Sequence, residues 1–350
     1  MDINIMIEEA NLARLWQVWP IAGPWRLSPL AGGTNNLVWR AETVGGECYV
    51  LRLFPDRARL PRLRYEAALL EALSNANLPF RLPLPIRTRS GESIAVLEQE
   101  MLACAILSPF LPGECPDRND LALVSPTAEA LAVLDNALAA LPDIVVPGGF
   151  EPLFSYGDLV SGYMPVPDSL AAVERLPIAR DKARQMQNIL ASILEAMPNL
   201  YTRLPQQLLH LDYCPPNLFV EDRQVTAIFD FEFAGIDLRV MELCVALSWW
   251  PVHLMGTGKE WEVIDAFAEA YVDGFPLSIE ELRAIPEVLR LRDAGSLIHR
   301  MGRYFAGLET DARIQERVEH SLWREAWLNS HREMLLQHAM AWSGPAPAGR

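Results

Sequence analysis

Cysteine is scarce in this chain. Cys48, Cys104, Cys115, Cys214 and Cys244 are odd in number, scattered, and never spaced as CxxC. That excludes a disulfide framework and a structural zinc site of the usual ligand spacing. Long apolar runs are lacking as well. No stretch of about 18 uninterrupted apolar residues occurs, and the densest candidate, Val245–Met255, contains Pro251 and His253 and is too short to span. The first residues, MDINIMIEEANLARLW, carry acids where a secretory signal needs a basic segment. The sequence therefore predicts a soluble cytoplasmic protein with no membrane partner. Basic charge is also in deficit: 30 Lys and Arg against 45 Asp and Glu give a formal charge of −15. A chain this acidic is a poor polyanion binder, so no nucleic-acid partner is expected. A local basic pocket for one small anion stays open. What is present, 51% hydrophobic and 21% charged residues over 350 positions, suits one large or two ordinary folded domains.

The first hundred residues read as strands separated by turns. Trp25–Leu30 precedes the loop Gly32-Gly33-Thr34-Asn35-Asn36. The alternating run Leu37–Glu42 follows, then a Gly45-Gly46 turn, then the strand Tyr49–Phe54. A basic connection leads to a helix over Tyr65–Ser74, with Ala67, Leu70 and Leu73 on one face. Two further strands, Ile94–Leu97 and Ala103–Ser108, lead to Pro109-Phe110-Leu111-Pro112-Gly113. Beyond that point the texture is helical. Ser125-Pro126 reads as an N-cap and first helical residue, Met186 to Met197 is strongly periodic, and 256–338 is helical again. The expected fold class is α+β: a β-rich N-terminal lobe over 1–113, a larger mainly helical lobe over 114–342, and a tail over 343–350.

The chemistry sits in LLHLDYCPPNLFV, residues 208–220, and AIFDFE, residues 227–232. These hold His210, Asp212 and Asn217 as H-x-D-x4-N, with Asp230 thirteen residues after Asn217. Two short strands flanking a turn bring Asp212, Asn217 and Asp230 to one rim. A carboxylate, an amide and a second carboxylate form a hard-oxygen set suited to Mg²⁺ on nucleotide phosphates. The remaining carboxylate can orient and deprotonate a hydroxyl. Read blandly, the same residues are ordinary turn and capping groups, and the Gly32–Asn36 loop is an ordinary hairpin turn.

The spacing and its context resemble the aminoglycoside phosphotransferase/choline kinase superfamily, small-molecule kinases of protein-kinase-like bilobal fold. Leu30–Asn36, Tyr49–Phe54, Phe110–Gly113 and YVDGFPLSIEE, residues 271–281, look most similar to its type II homoserine kinase-like branch. The resemblance implies ATP and Mg²⁺ as cofactors, Asp212 as catalytic base, and Asn217 and Asp230 as metal ligands. Gly33, Asn35 and Asn36 would line a loop over the phosphates, and adenine would lie against Ser108, Phe110 and Leu111. Arg52 stands where kinases usually carry a phosphate-binding lysine, with Glu66 as its expected partner. A guanidinium can clamp phosphate bidentately in that place.

The implied activity is phosphorylation of a small-molecule hydroxyl, with homoserine or another amino alcohol as acceptor. An aminoglycoside or sugar acceptor is the alternative. A non-catalytic nucleotide-binding regulatory module is the rival from another class, and a metal-dependent hydrolase using His210, Asp212 and Asp230 ranks last. Glu232, two residues from Asp230, shares its face if the chain is extended there. Asp237 and Glu242 are expected to stabilise the following helix. Arg292, His299 and Arg303, at spacings of seven and four, mark either a solvated helix face or a carboxylate-binding one.

Overall fold

Alternating side chains build the first sheet in the computed structural model, which describes residues 15–30, 37–99, 102–141, 155–156 and 168–342. Strands β1 (Arg26–Pro29), β2 (Leu37–Glu42), β3 (Cys48–Phe54), β4 (Ala95–Gln99) and β5 (Leu102–Pro109) form one antiparallel sheet in the order β1-β2-β3-β5-β4. Gly46, at φ 85°, turns β2 into β3, a conformation open to a residue without a Cβ. On β3, Leu51 and Leu53 face a cluster with Trp19, Ala105 and Leu107. Phe54 points the other way, into a cluster with Leu63, Ala67 and Ile106. The period of two places Arg52 on the Phe54 face, toward helix α1 (Leu60–Leu73). This helix starts five residues before the expected Tyr65. Pro61 occupies its first turn, where a missing N–H costs nothing, and an Asp56-capped turn precedes it.

The remaining elements are mostly helical: α2 (Val124–Ala139), α3 (Ser169–Val173), α4 (Arg180–Arg203), α5 (Arg239–Leu247), α6 (Glu260–Gly274), α7 (Ile279–Phe305) and α8 (Asp311–Trp342). Among them, β6 (Gln206–Leu209) pairs antiparallel with β9 (Gly235–Leu238), and β7 (Leu218–Glu221) with β8 (Gln224–Ile228). The fold class is thus the α+β arrangement expected, a five-stranded antiparallel sheet followed by a larger helical part.

Two local expectations need correction. Ser125 is not the N-cap of α2: the helix already runs at Val124, behind a turn capped by Asp120, and the Ser125 hydroxyl instead donates to the Ala266 carbonyl at 3.4 Å. The densest apolar segment is not Val245–Met255 either. Among the described residues, Leu121–Ala139 is the one helix long and apolar enough to cross a membrane, and more than half of it is buried inside the protein. Helix α7 opens with a capping box, Ser278 and Glu281 each bonding the other's backbone N–H. Trp250, Trp261 and Trp327 serve packing. Trp250 is wholly buried, and Trp261 stacks on Trp327 and His338 at 5.6 and 4.5 Å between centroids.

The chain divides into two compact units: Met1–Glu114 with Leu141–Glu151 and Thr226–Glu232, and Cys115–Ala140 with Pro152–Val225 and Phe233–Arg350. Backbone bonds on both sides of Arg81 hold the returning segment in the first unit. Arg81 N–H donates to the Thr226 carbonyl at 2.9 Å, and Ile228 N–H to that of Arg81 at 3.1 Å. Asp230 and Glu232 therefore belong with the sheet.

Candidate active site

In the first unit, Arg52 Nη2 donates to Glu66 Oε1 at 2.8 Å, the partner its sequence position suggested. Both side chains are largely buried, and Glu66 Oε2 has no hydrogen-bond partner among the described residues. Burial disfavours the Arg52 charge, but Glu66, Asp230 and Glu232 together hold its pKa above the ordinary arginine value. Arg52 is thus a fixed, fully charged cation in a cluster of carboxylates. Asp230 sits in the left-handed region at φ 67°, a conformation that aspartate tolerates. Glu232 corrects the sequence reading: residues Phe231–Phe233 form a helical turn, so the alternation of an extended chain does not relate Asp230 and Glu232. The carbonyl of Glu232 accepts from both Nε and Nη2 of the buried Arg62. Nothing in the sequence marks Arg62 for this contact; on α1 it is buried beside Leu63. Ser108 is buried on β5, and Phe110 carries Arg40 over its ring at 5.2 Å, its N–H bonded to the Cys48 carbonyl. Leu111 follows as a half-buried residue. Gly33, Asn35 and Asn36 lie outside the described residues.

In the second unit, β6 delivers His210, Leu211 and Asp212. Leu211 is buried at φ 63°, a left-handed conformation that costs a non-glycine residue about 1–3 kcal/mol. It is held there from two sides. Its N–H donates to Glu242 Oε2 at 2.8 Å, and its carbonyl accepts from the Tyr156 hydroxyl at 3.4 Å. The next residue, Asp212, is half-buried, and its N–H donates to His210 Nδ1 at 3.2 Å. Asn217, in the helical turn Pro215–Asn217, donates from Nδ2 to the Asp212 carbonyl at 3.0 Å and to its Oδ2 at 2.9 Å. The carboxylate of Asp212 is therefore fixed in direction by an amide, and its backbone by a strained turn.

Asp237 and Glu242 do more than steady a helix. Asp237 Oδ2 accepts the Tyr156 N–H at 2.8 Å, and its Oδ1 accepts the Tyr201 hydroxyl at 2.5 Å. This fixes the tyrosine that in turn holds Leu211. Behind Glu242 lies a further buried carboxyl, Asp135, whose Oδ2 accepts the Tyr271 hydroxyl at 2.6 Å. No sequence motif marks this group; only the helical spacing of α2 could have placed Asp135 on the inner face. Burial, and the proximity of the two acids, push the carboxyl of Glu242 well up; burial raises that of Asp135 too. An acid with a raised folded pKa keeps its proton while the unfolded chain loses it above about pH 4. Stability from Asp135 should therefore fall as pH rises past that value. We expect Asp135→Asn, which can still accept from Tyr271, to gain on the natural chain steadily from pH 5 to 8 in urea unfolding. Parallel profiles would refute the raised pKa.

Arg292, His299 and Arg303 do not form a solvated face. Arg292 and Arg303 are buried, Arg303 Nε donates to Glu309 Oε1 at 2.8 Å, and His299 stands edge-on to Phe233 at 5.4 Å.

Within the second unit, Asp212 and Asn217 carry hard oxygen donors of the kind that suits a divalent cation, and Asp230 carries another within the first. Among the described residues no group of three or more His, Cys, Asp or Glu gathers in a way that could hold a metal ion.

Residues 26–284 match the profile of the phosphotransferase enzyme family. A homoserine kinase of Phenylobacterium zucineum is 30% identical over 299 residues, 82% of each chain. A homoserine kinase of Acidiphilium cryptum is 26% identical, over 83% of this chain and 85% of the relative. Among solved structures, an amicoumacin kinase in complex with AMP-PNP, Ca²⁺ and Ami superposes with a TM-score of 0.66 at 13% identity, over 91% and 93% of the two chains. A microcompartment-associated aminopropanol kinase gives 0.61 at 17% identity, over 95% and 98%. These two share the fold. With three quarters of its length in the family profile and a relative at 30% identity over most of both chains, the protein belongs to the phosphotransferase enzyme family.

Proposed function

We propose that the chain transfers the terminal phosphoryl group of ATP, with Mg²⁺, to the hydroxyl of a small cytoplasmic molecule, with homoserine or a related amino alcohol as acceptor. The observation that carries the reading is the pinned carboxylate of Asp212: half-buried, set on a left-handed turn, and aimed by Asn217. Such a group aligns an acceptor hydroxyl for in-line attack and takes its proton as the new O–P bond forms. Arg52, fixed by Glu66, is assigned to the nucleotide phosphates, and Ser108, Phe110 and Leu111 to the adenine. The segment with Gly33, Asn35 and Asn36 is assigned to the phosphates as a covering loop. Asn217 and Asp230 are assigned to the metal; bound there, Mg²⁺ offsets the negative charge of the phosphate oxygens. Positioning and electrostatics do the rest, with no covalent enzyme intermediate. In these terms 1–113 is the nucleotide-binding lobe and 114–342 the lobe with the catalytic loop and acceptor site. The homoserine kinases among the relatives support the acceptor class.

The test is Mg·ATP consumption by purified protein against homoserine, other hydroxy amino acids, choline, ethanolamine, sugars and aminoglycosides. We expect a hydroxy amino acid or amino alcohol to be turned over. A protein that binds no ATP, or that binds it and phosphorylates nothing in the panel, would count against the proposal.

A further inference from the structure

The second unit contains a cavity of about 540 Å³ that none of the residues assigned above as Asp212, Asn217 or their supports lines. Trp249, at the end of α5, and Arg292, Arg300, Arg313 and Arg317, from α7 and α8, form its walls. A volume of this order suits a small-molecule site. Its charge runs against that of the chain: four arginines face two glutamates, Glu309 and Glu316, in a protein of formal charge −15.

The acids nearby are already engaged. Glu309 Oε1 accepts from Arg300 at 2.5 Å and from Arg303 at 2.8 Å. Asp293 pairs closely with Arg324 at 2.8 Å; its carboxylate lies at longer contacts of 3.4 and 3.5 Å from Arg292 and Arg317, and Arg317 Nη2 also donates to the Asp293 carbonyl at 3.2 Å. The Nε atoms of Arg292 and Arg317 are buried and have no hydrogen-bond partner among the described residues, and the Arg292 side chain is only 7% exposed. A guanidinium that buried and that loosely paired is one that a ligand completes. His320, also in the wall, records the local field. Its Nδ1 lies 3.5 Å from Arg317 Nη1, and burial together with Arg317, against a weaker pull from Asp293, lowers its pKa to about 4. Arg292 lies within electrostatic reach of Asp212 and of Tyr156, the residue that holds the Leu211 carbonyl.

We propose that this cavity is the acceptor subsite for an oxyanion, a carboxylate or phosphate carried by the molecule to be phosphorylated, received by Arg292, Arg300 and Arg317. The inference rests on the phosphotransferase reading above and narrows its substrate class. Acceptors without an oxyanion, simple amino alcohols and polycationic aminoglycosides among them, meet uncompensated positive charge and are rejected.

A matched acceptor set tests it on the full-length protein: homoserine, 4-hydroxybutanoate, which keeps the carboxylate, and 3-aminopropan-1-ol, which lacks it. 3-Hydroxypropyl phosphate replaces the carboxylate with phosphate and separates the two sources of the anion. We expect kcat/KM on 3-aminopropan-1-ol to be lower by about 100-fold than on the better oxyanion-bearing acceptor, the scale of an unpaired buried charge. Equal turnover of the amino alcohol would overturn the subsite while leaving phosphoryl transfer intact. Arg292→Met should raise KM for the anionic acceptor by about 100-fold with KM for ATP unchanged, and Arg292→Lys should recover part of the loss. An unchanged acceptor KM in Arg292→Met would equally overturn it. A second readout needs no turnover: the His320 ring, followed by NMR, should titrate at higher pH with saturating 4-hydroxybutanoate or 3-hydroxypropyl phosphate. A titration that neither ligand moves would refute the subsite even if phosphoryl transfer itself failed.

Discussion

Replacing Asp212 with alanine is expected to reduce phosphoryl transfer to background, a loss of at least the 10²- to 10⁴-fold, roughly, that a positioned general base supplies, while ATP binding persists. The substitution removes the carboxylate that Asn217 aims, but Asn217 Nδ2 keeps its bond to the backbone carbonyl of residue 212 at 3.0 Å, so the turn retains its inner support. Glu242 and Tyr156 hold Leu211 through backbone atoms that the change does not touch. Arg52 and Glu66, assigned to the phosphates, belong to the other compact unit and do not contact residue 212 through any of these bonds. ATP titration of the variant by calorimetry, beside single-turnover transfer, separates the two effects. A folded variant that no longer binds ATP would assign Asp212 to the nucleotide rather than to the acceptor, and one that turns over normally would remove it from the reaction.

The residues that could be read from the sequence were those whose chemistry repeats locally. His210, Asp212, Asn217 and Asp230 stand within twenty-one positions of each other, so spacing alone joined them. Arg52 was legible for a different reason. It stands where the kinases that the chain resembles usually carry a phosphate-binding lysine, and Glu66 lies on the helix that follows the strand; the structure pairs the two. The supports of the site were not legible. Asp135, Tyr156, Asp237 and Glu242 act through contacts 31 to 136 residues away in sequence, some of them with backbone groups, and no periodicity marks such partners. Glu232 was misread because a strand pattern continues through IFDFE while the chain turns helical after Asp230. The arginine cavity was half legible. Arg313, Arg317, His320 and Arg324 recur at four, three and four residues, which puts them on one stripe of α8. Only the fold brings that stripe opposite Arg292 and makes it an inner face rather than a solvated one.

Asp293→Ala is expected to be the most destabilising single change in the helical unit, by about 3–5 kcal/mol in urea unfolding at pH 7, the cost of stripping a buried ion network of its shared partner. Asp293 is 7% exposed and bonds Arg324 at 2.8 Å; Arg324 is itself 1% exposed, so its charge has no route to water. Arg317 and Arg292 reach the same carboxylate. Burial opposes its ionisation, but Arg324, Arg317 and Arg292, with His320 behind them, hold its pKa below the ordinary carboxylate value. A depressed folded pKa means that this stability is fully present above about pH 4, where the unfolded carboxyl is also ionised, and is lost as pH falls through the lower folded value. The variant and the natural chain should therefore differ most near neutrality and converge in acid. The double change Asp293→Leu with Arg324→Met should recover much of the loss, because it withdraws a buried charge together with its counter-charge and fills the space with apolar atoms. If the double variant is as unstable as Asp293→Ala, the carboxylate acts through packing and the arginines do not depend on it. If Asp293→Ala alone unfolds at the natural midpoint, the network contributes nothing to the fold.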